Sequence, residues 1–533
     1  MFPGKELFRP SLSYPTHPYD EMLTQMAQRF PEQVALLFNQ INISYRELDA
    51  LVNSFANALG DLGIRKGQIV SLFMTNRPEY IISWFAIIRI GAVASPLNPS
   101  YKEREVAYQL NNSDSVAVVV QSELLPLVEA IRSETPALEH IILIDDAPHS
   151  TSTYGHSFGN LIHSYPPTPP MREAWTQDDL IALPYSSGTT GMPKGVMLSQ
   201  KNLVTNAYQS VATARITSLD RMLVFVPLYH IYGTMLIATA TLSGATSVLM
   251  ERFDATRCLQ YIHEQKITLL YVVPQVLSIL SEHPQLDNYD LSSVRYVQCG
   301  AAPIPPALAH RFEERTHVTV MTAYGLTEAA PGTHSNPVYD PHLIKVETIG
   351  LPIHDTKQKI VDIETGQIEL GVGEEGELIV QGPQVMLGYW KAPEATAEAI
   401  RDGWLHTGDI GWRDEDGYVT ITDRKKELIK YKGLSVAPAQ LEALLLEHPA
   451  VADVAVIAKP DVQAGEIPKA FVVLRAGYEN LSTDELIAWA NGKLATYKNV
   501  RKIEFITAIP RNQSGKILRR VLKERELQRV EYP

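Results

Sequence analysis

The run Tyr185-Ser-Ser-Gly-Thr-Thr-Gly-Met-Pro-Lys-Gly-Val-Met-Leu-Ser199 has the residue types most plainly suited to a chemical task. Eight of the ten residues from Ser186 to Gly195 are Ser, Thr, Gly or Lys, and the apolar Leu180–Leu183 precedes them. Such a loop offers backbone N–H groups and the hydroxyls of Ser186, Ser187, Thr189 and Thr190 to phosphate oxygens. Gly188, Gly191 and Gly195 permit tight, left-handed backbone, and Lys194 adds a cation. Pro193 stands where a Walker loop needs glycine, which excludes that motif. A flexible Ser/Gly linker has similar composition, but the embedded Met192-Pro193-Lys194 and the apolar flanks count against one.

This segment resembles the phosphate loop of the acyl-adenylate-forming superfamily: acyl-CoA synthetases, adenylation domains of peptide synthetases and firefly-type luciferases. The resemblance runs through nearly the whole chain, with the other signatures in the family's order. Met321–Ala330 is similar to the adenine and magnesium segment. By that similarity Tyr324, next to Gly325, stacks on adenine, Thr327 contacts the α-phosphate and Glu328 ligates Mg²⁺. An aromatic face suits a purine, and phosphate-bound Mg²⁺ takes only one or two protein carboxylates. Gly300-Ala301-Ala302-Pro303 resembles the turn lying along the nucleotide, where small residues let a flat ligand approach the backbone.

Gly403–Asp409 is similar to the ribose segment, which implies that Asp409 accepts from both ribose hydroxyls. Asp423–Gly433 resembles the hinge: Arg424 would contact ribose or phosphate, Lys426 would be the pivot, and Lys432 and Gly433 would line the coenzyme A channel. A solvated basic face is the plain alternative for that charge run. Pro510–Arg520 is similar to the last motif, so that Lys516 reaches the carboxylate and α-phosphate. Pro227–Met235 matches the segment lining the acyl pocket, with His230 as a gate; a satisfied core histidine is the alternative. The stretch from Glu328 through His334 to Asn336 looks more like that of bacterial medium- or long-chain fatty acyl-CoA ligases than that of aryl ligases.

The implied activity is activation of a carboxylic acid by ATP and Mg²⁺, followed by transfer to coenzyme A. An adenylating enzyme for an aryl acid, one loading a carrier protein, a luciferase and a non-catalytic nucleotide-binding homologue stay open beside it. Pro510 and Gly515-Lys516 resemble the site at which bacterial acyltransferases acetylate such synthetases, making Lys516 a candidate for a lysine acetyltransferase. A homodimer is left open.

Several elements must position these residues. Val34–Phe38 and Ile41–Ser44 read as a hairpin, and Ser44–Glu47 as a capping box opening a helix towards Leu59. Strand-like runs (69–74, 116–120, 140–144, 222–226, 268–273, 295–298) alternate with helical ones (79–90, 103–110), which predicts an α/β fold with largely parallel sheets. From about 350 to 420 short strands and Gly-rich turns predict a small antiparallel or barrel-like lobe. A new α/β unit begins near Asp423. The domain expectation is therefore an AMP-binding unit over 1–425 and a small mobile α/β lid over 426–533.

The bulk properties agree. At 533 residues the chain exceeds one hydrophobic core. A net charge of −13 argues against a nucleic-acid surface. From Asp423 onward there are 19 basic against 14 acidic residues, a mildly basic unit on an acidic body. Cys258 and Cys299 are too few for a disulfide framework. The opening segment has charges and prolines where a signal peptide needs an apolar run, and Met222–Met250 reads as buried strands and helices. A cytoplasmic protein without a transmembrane segment is expected.

Overall fold

The computed structural model describes residues 9–144, 155–186, 192–302, 304–432, 434–461, 463–511 and 517–530. Two nine-stranded sheets carry most of the chain. The first runs, in spatial order, Leu351–Pro352, Gly332–Ser335, Val320–Gly325, Tyr296–Cys299, Leu269–Val272, Arg221–Val224, Thr246–Leu249, Val34–Phe38 and Ile41–Ser44. Its six central strands are parallel, and only the outer pairs run antiparallel. The second is built around parallel strands Ile69–Phe73, Val93–Pro96, Ala117–Gln121 and His140–Ile144, with Lys194–Ser199 antiparallel near one edge.

These strands read as continuous apolar runs because both faces are covered. Ala117–Gln121 is buried at every position. The expected hairpin pairs Phe38 with Ile41, and the Ser44 capping box opens a helix over Tyr45–Asp61. Ile231–Ser243 is apolar around its whole circumference, which suits a helix buried among others. It ends at Gly244 in the left-handed region.

Lys357–Val361, Gly376–Gln381, Ile400–Arg401, Trp404–Arg413 and Val419–Arg424 form a five-stranded antiparallel sheet, as the Gly-rich turns imply. A further five-stranded sheet spans Ile429–Phe505. Its centre is the long hairpin Val451–Asp461 and Gly465–Leu474, longer than the apolar runs alone suggest. One large core links both nine-stranded sheets and reaches Val419, whereas residues from Ile429 on pack into two small cores of their own. Both cysteines are buried thiols. Among the described residues no helix is long and apolar enough to cross a membrane.

Candidate active site

Parallel strands bring their C-terminal ends to one edge, and ligands of open α/β sheets bind beyond that edge. Three neighbouring segments meet there. Tyr296–Cys299 runs into Gly300-Ala301, Val320–Gly325 runs into Leu326-Thr327, and Arg221–Val224 leads to His230. These residues line a single cleft, partly open to solvent, together with Tyr232 and Tyr324. Parts of the sequence far apart along the chain thus share one wall.

Local backbone demands fix the turns. A Cβ on Gly325 would stand 2.3 Å from the Pro331 carbonyl oxygen, and one on Gly233 2.3 Å from that of Pro227. Neither position has room for a side chain. His230 caps the helix Ile231–Ser243: its Nδ1 accepts from the Tyr232 N–H at 3.2 Å, so the neutral ring carries its proton on Nε2. Behind this turn Asn76 accepts from Leu228 N at 2.8 Å and donates to Val226 O at 3.0 Å. Ala301 holds φ +68°, a left-handed conformation that costs a non-glycine residue roughly 1 kcal/mol.

At the rim, Asp409 is 3% exposed and faces Arg424 across paired antiparallel strands. Arg424 Nε lies 2.8 Å from Asp409 Oδ1, and the Tyr324 hydroxyl donates to Oδ2. The Asp409 charge raises the Arg424 pKa further; burial and then the same carboxylate push the Tyr324 phenol well up. The preceding turn is tied by Glu377, which accepts from Gly408 N at 3.2 Å and pairs with Lys425 at 3.0 Å. Tyr324 also meets His334 edge to face, centroids 5.9 Å apart. Burial lowers the His334 pKa to about 4, so its ring is neutral between Thr333 and Gln358.

Glu328 and Lys194 meet through a third side chain. The Tyr389 hydroxyl donates to Glu328 Oε1 at 2.9 Å, and Lys194 Nζ lies 5.1 Å from the Tyr389 ring centre. Lys194 pairs with Ser186 across an antiparallel hairpin. No group of three or more His, Cys, Asp or Glu among the described residues is arranged to hold a metal. A single carboxylate, Glu328, fits an ion that draws most of its ligands from phosphate and water, as Mg²⁺ does.

The structure thus gathers His230, Gly300, Ala301, Tyr324, Gly325 and Thr327 in one cleft and joins Asp409 and Arg424 to it through Tyr324. Ala302 follows Ala301 in the same turn. Lys426 and Lys432 are exposed and do not line the cleft; Lys432 N donates to Ala464 O at 2.8 Å. Ser187, Gly188, Thr189, Thr190, Gly191, Pro303, Gly433 and Lys516 lie outside the described residues. Sequence reasoning missed Tyr389, Glu377 and Thr213, and it placed Tyr232 only within the acyl-pocket segment; the buried cleft hydroxyls Tyr232 OH and Thr213 Oγ1 have no hydrogen-bond partner among the described residues. Tyr389 and Glu377 act through contacts with distant segments, which no local pattern signals.

Residues 23–390 match the family model for AMP-binding enzymes, and residues 440–516 match the AMP-binding enzyme C-terminal domain. A probable 4-coumarate–CoA ligase of Dictyostelium discoideum is 35% identical, the match covering 97% of this chain and 96% of the relative. A 4-coumarate–CoA ligase of Petroselinum crispum is 37% identical over 90% and 89%. Among solved structures, the anthranilate CoA ligase AuaEII with anthranoyl-AMP superposes with a TM-score of 0.87 at 30% identity, covering 97% of this chain and 99% of that one. A Mycobacterium tuberculosis fatty acyl CoA synthetase gives 0.77 at 31% identity, covering 96% and 99%.

Proposed function

The chain belongs to the AMP-binding enzyme family, and from that premise we propose that it is an ATP-dependent acid–CoA ligase. It joins a carboxylic acid to AMP with release of pyrophosphate, then transfers the acyl group to coenzyme A with release of AMP. The observation that carries this reading is the single cleft shared by the Tyr324–Thr327 and Gly300–Ala301 segments and by the His230 segment. An adenylate and an acyl group need adjoining compartments of that kind.

A carboxylate is a poor acyl electrophile, and bonding it to AMP makes the leaving group a phosphate monoester. In the first step a carboxylate oxygen attacks the α-phosphorus while the bond to the pyrophosphate oxygen breaks. Both reactants are anionic, so the protein contributes positioning and charge stabilisation. Lys194 and Lys516 supply positive charge, Asp409 with Arg424 fixes the ribose, and His230 stands beside the acid carboxylate. Glu328 would hold Mg²⁺, which when bound would neutralise phosphate charge, and Thr327 would contact the α-phosphate. In the second step the coenzyme A sulfur bonds to the acyl carbon, AMP leaves and the thiol gives up its proton. Lys516 then obstructs the thiol, a reason for the unit after Lys426 to turn as a lid and for Lys432-Gly433 to face coenzyme A.

For the acid, two readings compete. The Tyr232 and Thr213 hydroxyls, unpartnered among the described residues, favour an elongated, largely apolar acid with a polar atom at its far end, since an alkyl chain leaves both unsatisfied. The named substrates of the curated relatives, 4-coumarate, are of that kind. A medium- or long-chain fatty acid, the reading from His230 and His334, is supported by the likeness to the fatty acyl CoA synthetase. Acid-dependent pyrophosphate exchange into ATP, run with 4-hydroxycinnamate, cinnamate, octanoate and palmitate, tests both. Preference for 4-hydroxycinnamate over cinnamate supports the first. Exchange with none of a broad acid panel would leave a non-catalytic homologue.

A further inference from the structure

We propose that Tyr389 is a positioning residue that holds Glu328 and Lys194 apart, keeping both charges available to the metal–phosphate group; this rests on the site reading just given. Lys194 is exposed and Glu328 half-buried, and both opposite charges contact the side chain of Tyr389. Among the described residues Lys194 and Glu328 form no ion pair with each other. The Tyr389 hydroxyl instead occupies Glu328 Oε1 at 2.9 Å, and the ammonium of Lys194 lies over the ring of the same tyrosine, 5.1 Å from its centre. One side chain satisfies the anion by a hydrogen bond and the cation by its π face.

The backbone around Tyr389 supports this role. Met386 N donates to the Glu328 carbonyl at 2.9 Å, so the segment grips Glu328 through both main chain and side chain. Leu387 N donates to Met197 O at 2.9 Å and Trp390 N to Gly195 O at 2.8 Å, and Tyr389 pairs with Val196. The strand carrying Lys194 and the turn carrying Glu328 are therefore stitched to one strap. Tyr389 N is fixed in turn by Thr396 Oγ1 at 2.8 Å.

The test is calorimetric titration of the full chain with ATP, once with Mg²⁺ and once with EDTA. Tyr389→Phe keeps the ring under Lys194 and removes only the hydroxyl, so it leaves the fold intact. It should lose about ten-fold of the Mg²⁺-dependent gain in ATP affinity, the scale of one hydrogen bond to a charged group. Affinity for metal-free ATP should be little changed. In a Glu328→Gln background the same substitution should have no further effect on that gain, because the two act as a unit. An unchanged Mg²⁺ gain in Tyr389→Phe, or an equal loss in the Glu328→Gln background, would overturn the assignment. Failure of the unsubstituted protein to bind ATP at all would instead strike the functional reading beneath it.

Discussion

Arg424 and Asp409 are direct partners across the antiparallel strands Trp404–Arg413 and Val419–Arg424, with Nε and Oδ1 2.8 Å apart. The register sets the pair, and the Tyr324 hydroxyl on the other carboxylate oxygen links it to the cleft. The lobe that follows the main sheets thereby contributes its acid and base at the same point of the cleft rim. Asp409→Asn should raise the KM for ATP at least about ten-fold in pyrophosphate exchange, since a charge-assisted acceptor is lost. The KM for the acid should move less. Equal changes in both would argue against a ribose role.

Asp423, one residue before Arg424, accepts from Ala439 N at 3.0 Å at the start of the helix Pro438–Leu446. It faces Arg519, which pairs with Glu427 and Glu442. Burial, partly offset by these bonds and by Arg519, pushes its carboxyl up to about 7. An unfolded aspartate titrates near 3.9, so between about 4 and about 7 the folded chain keeps a proton that the unfolded chain has released. Stability from this group therefore falls as pH rises through that window. Asp423→Asn, which cannot titrate, should gain relative to the parent between pH 5 and pH 8 in thermal unfolding. A difference that stays flat with pH would show an ordinary carboxyl.

Lys516→Ala should reduce adenylate formation by about 10²–10³, the scale of losing one charge-stabilising donor. Thioester formation from supplied acyl-adenylate should survive. Acetylation of Lys516 removes the same charge and should reproduce the split, followed by intact mass and by each half-reaction. Equal loss of both half-reactions would contradict a lysine needed in only one.

Gly233 lies two residues into the helix that His230 caps, with no space for a Cβ beside the Pro227 carbonyl. Gly233→Ala should displace the Pro227–His230 turn and cost roughly 1–3 kcal/mol of stability. It should lower kcat/KM for the acid more than for ATP, read in pyrophosphate exchange with each varied in turn. A larger effect on ATP would separate His230 from the acid.

The sequence by itself determined several strands of the two large sheets, among them those around 69–74, 116–120, 140–144, 222–226, 268–273 and 295–298, because fully covered parallel strands must be apolar throughout, and the capping box at Ser44 announced the start of its helix. It also singled out Lys194, Asp409 and Glu328 as candidates for phosphate, ribose and metal, since they stand in motifs whose residue types match that chemistry. Only the tertiary structure decided how they meet. Strand order puts Gly300, Tyr324 and the turn before His230 at one sheet edge, and strand register sets Arg424 against Asp409. It also decided that Tyr389, unremarkable in its own segment, stands between Glu328 and Lys194. Local pattern records what each residue can do and how its neighbours pack, whereas these contacts join separate segments of the chain, and only the folded chain brings them together.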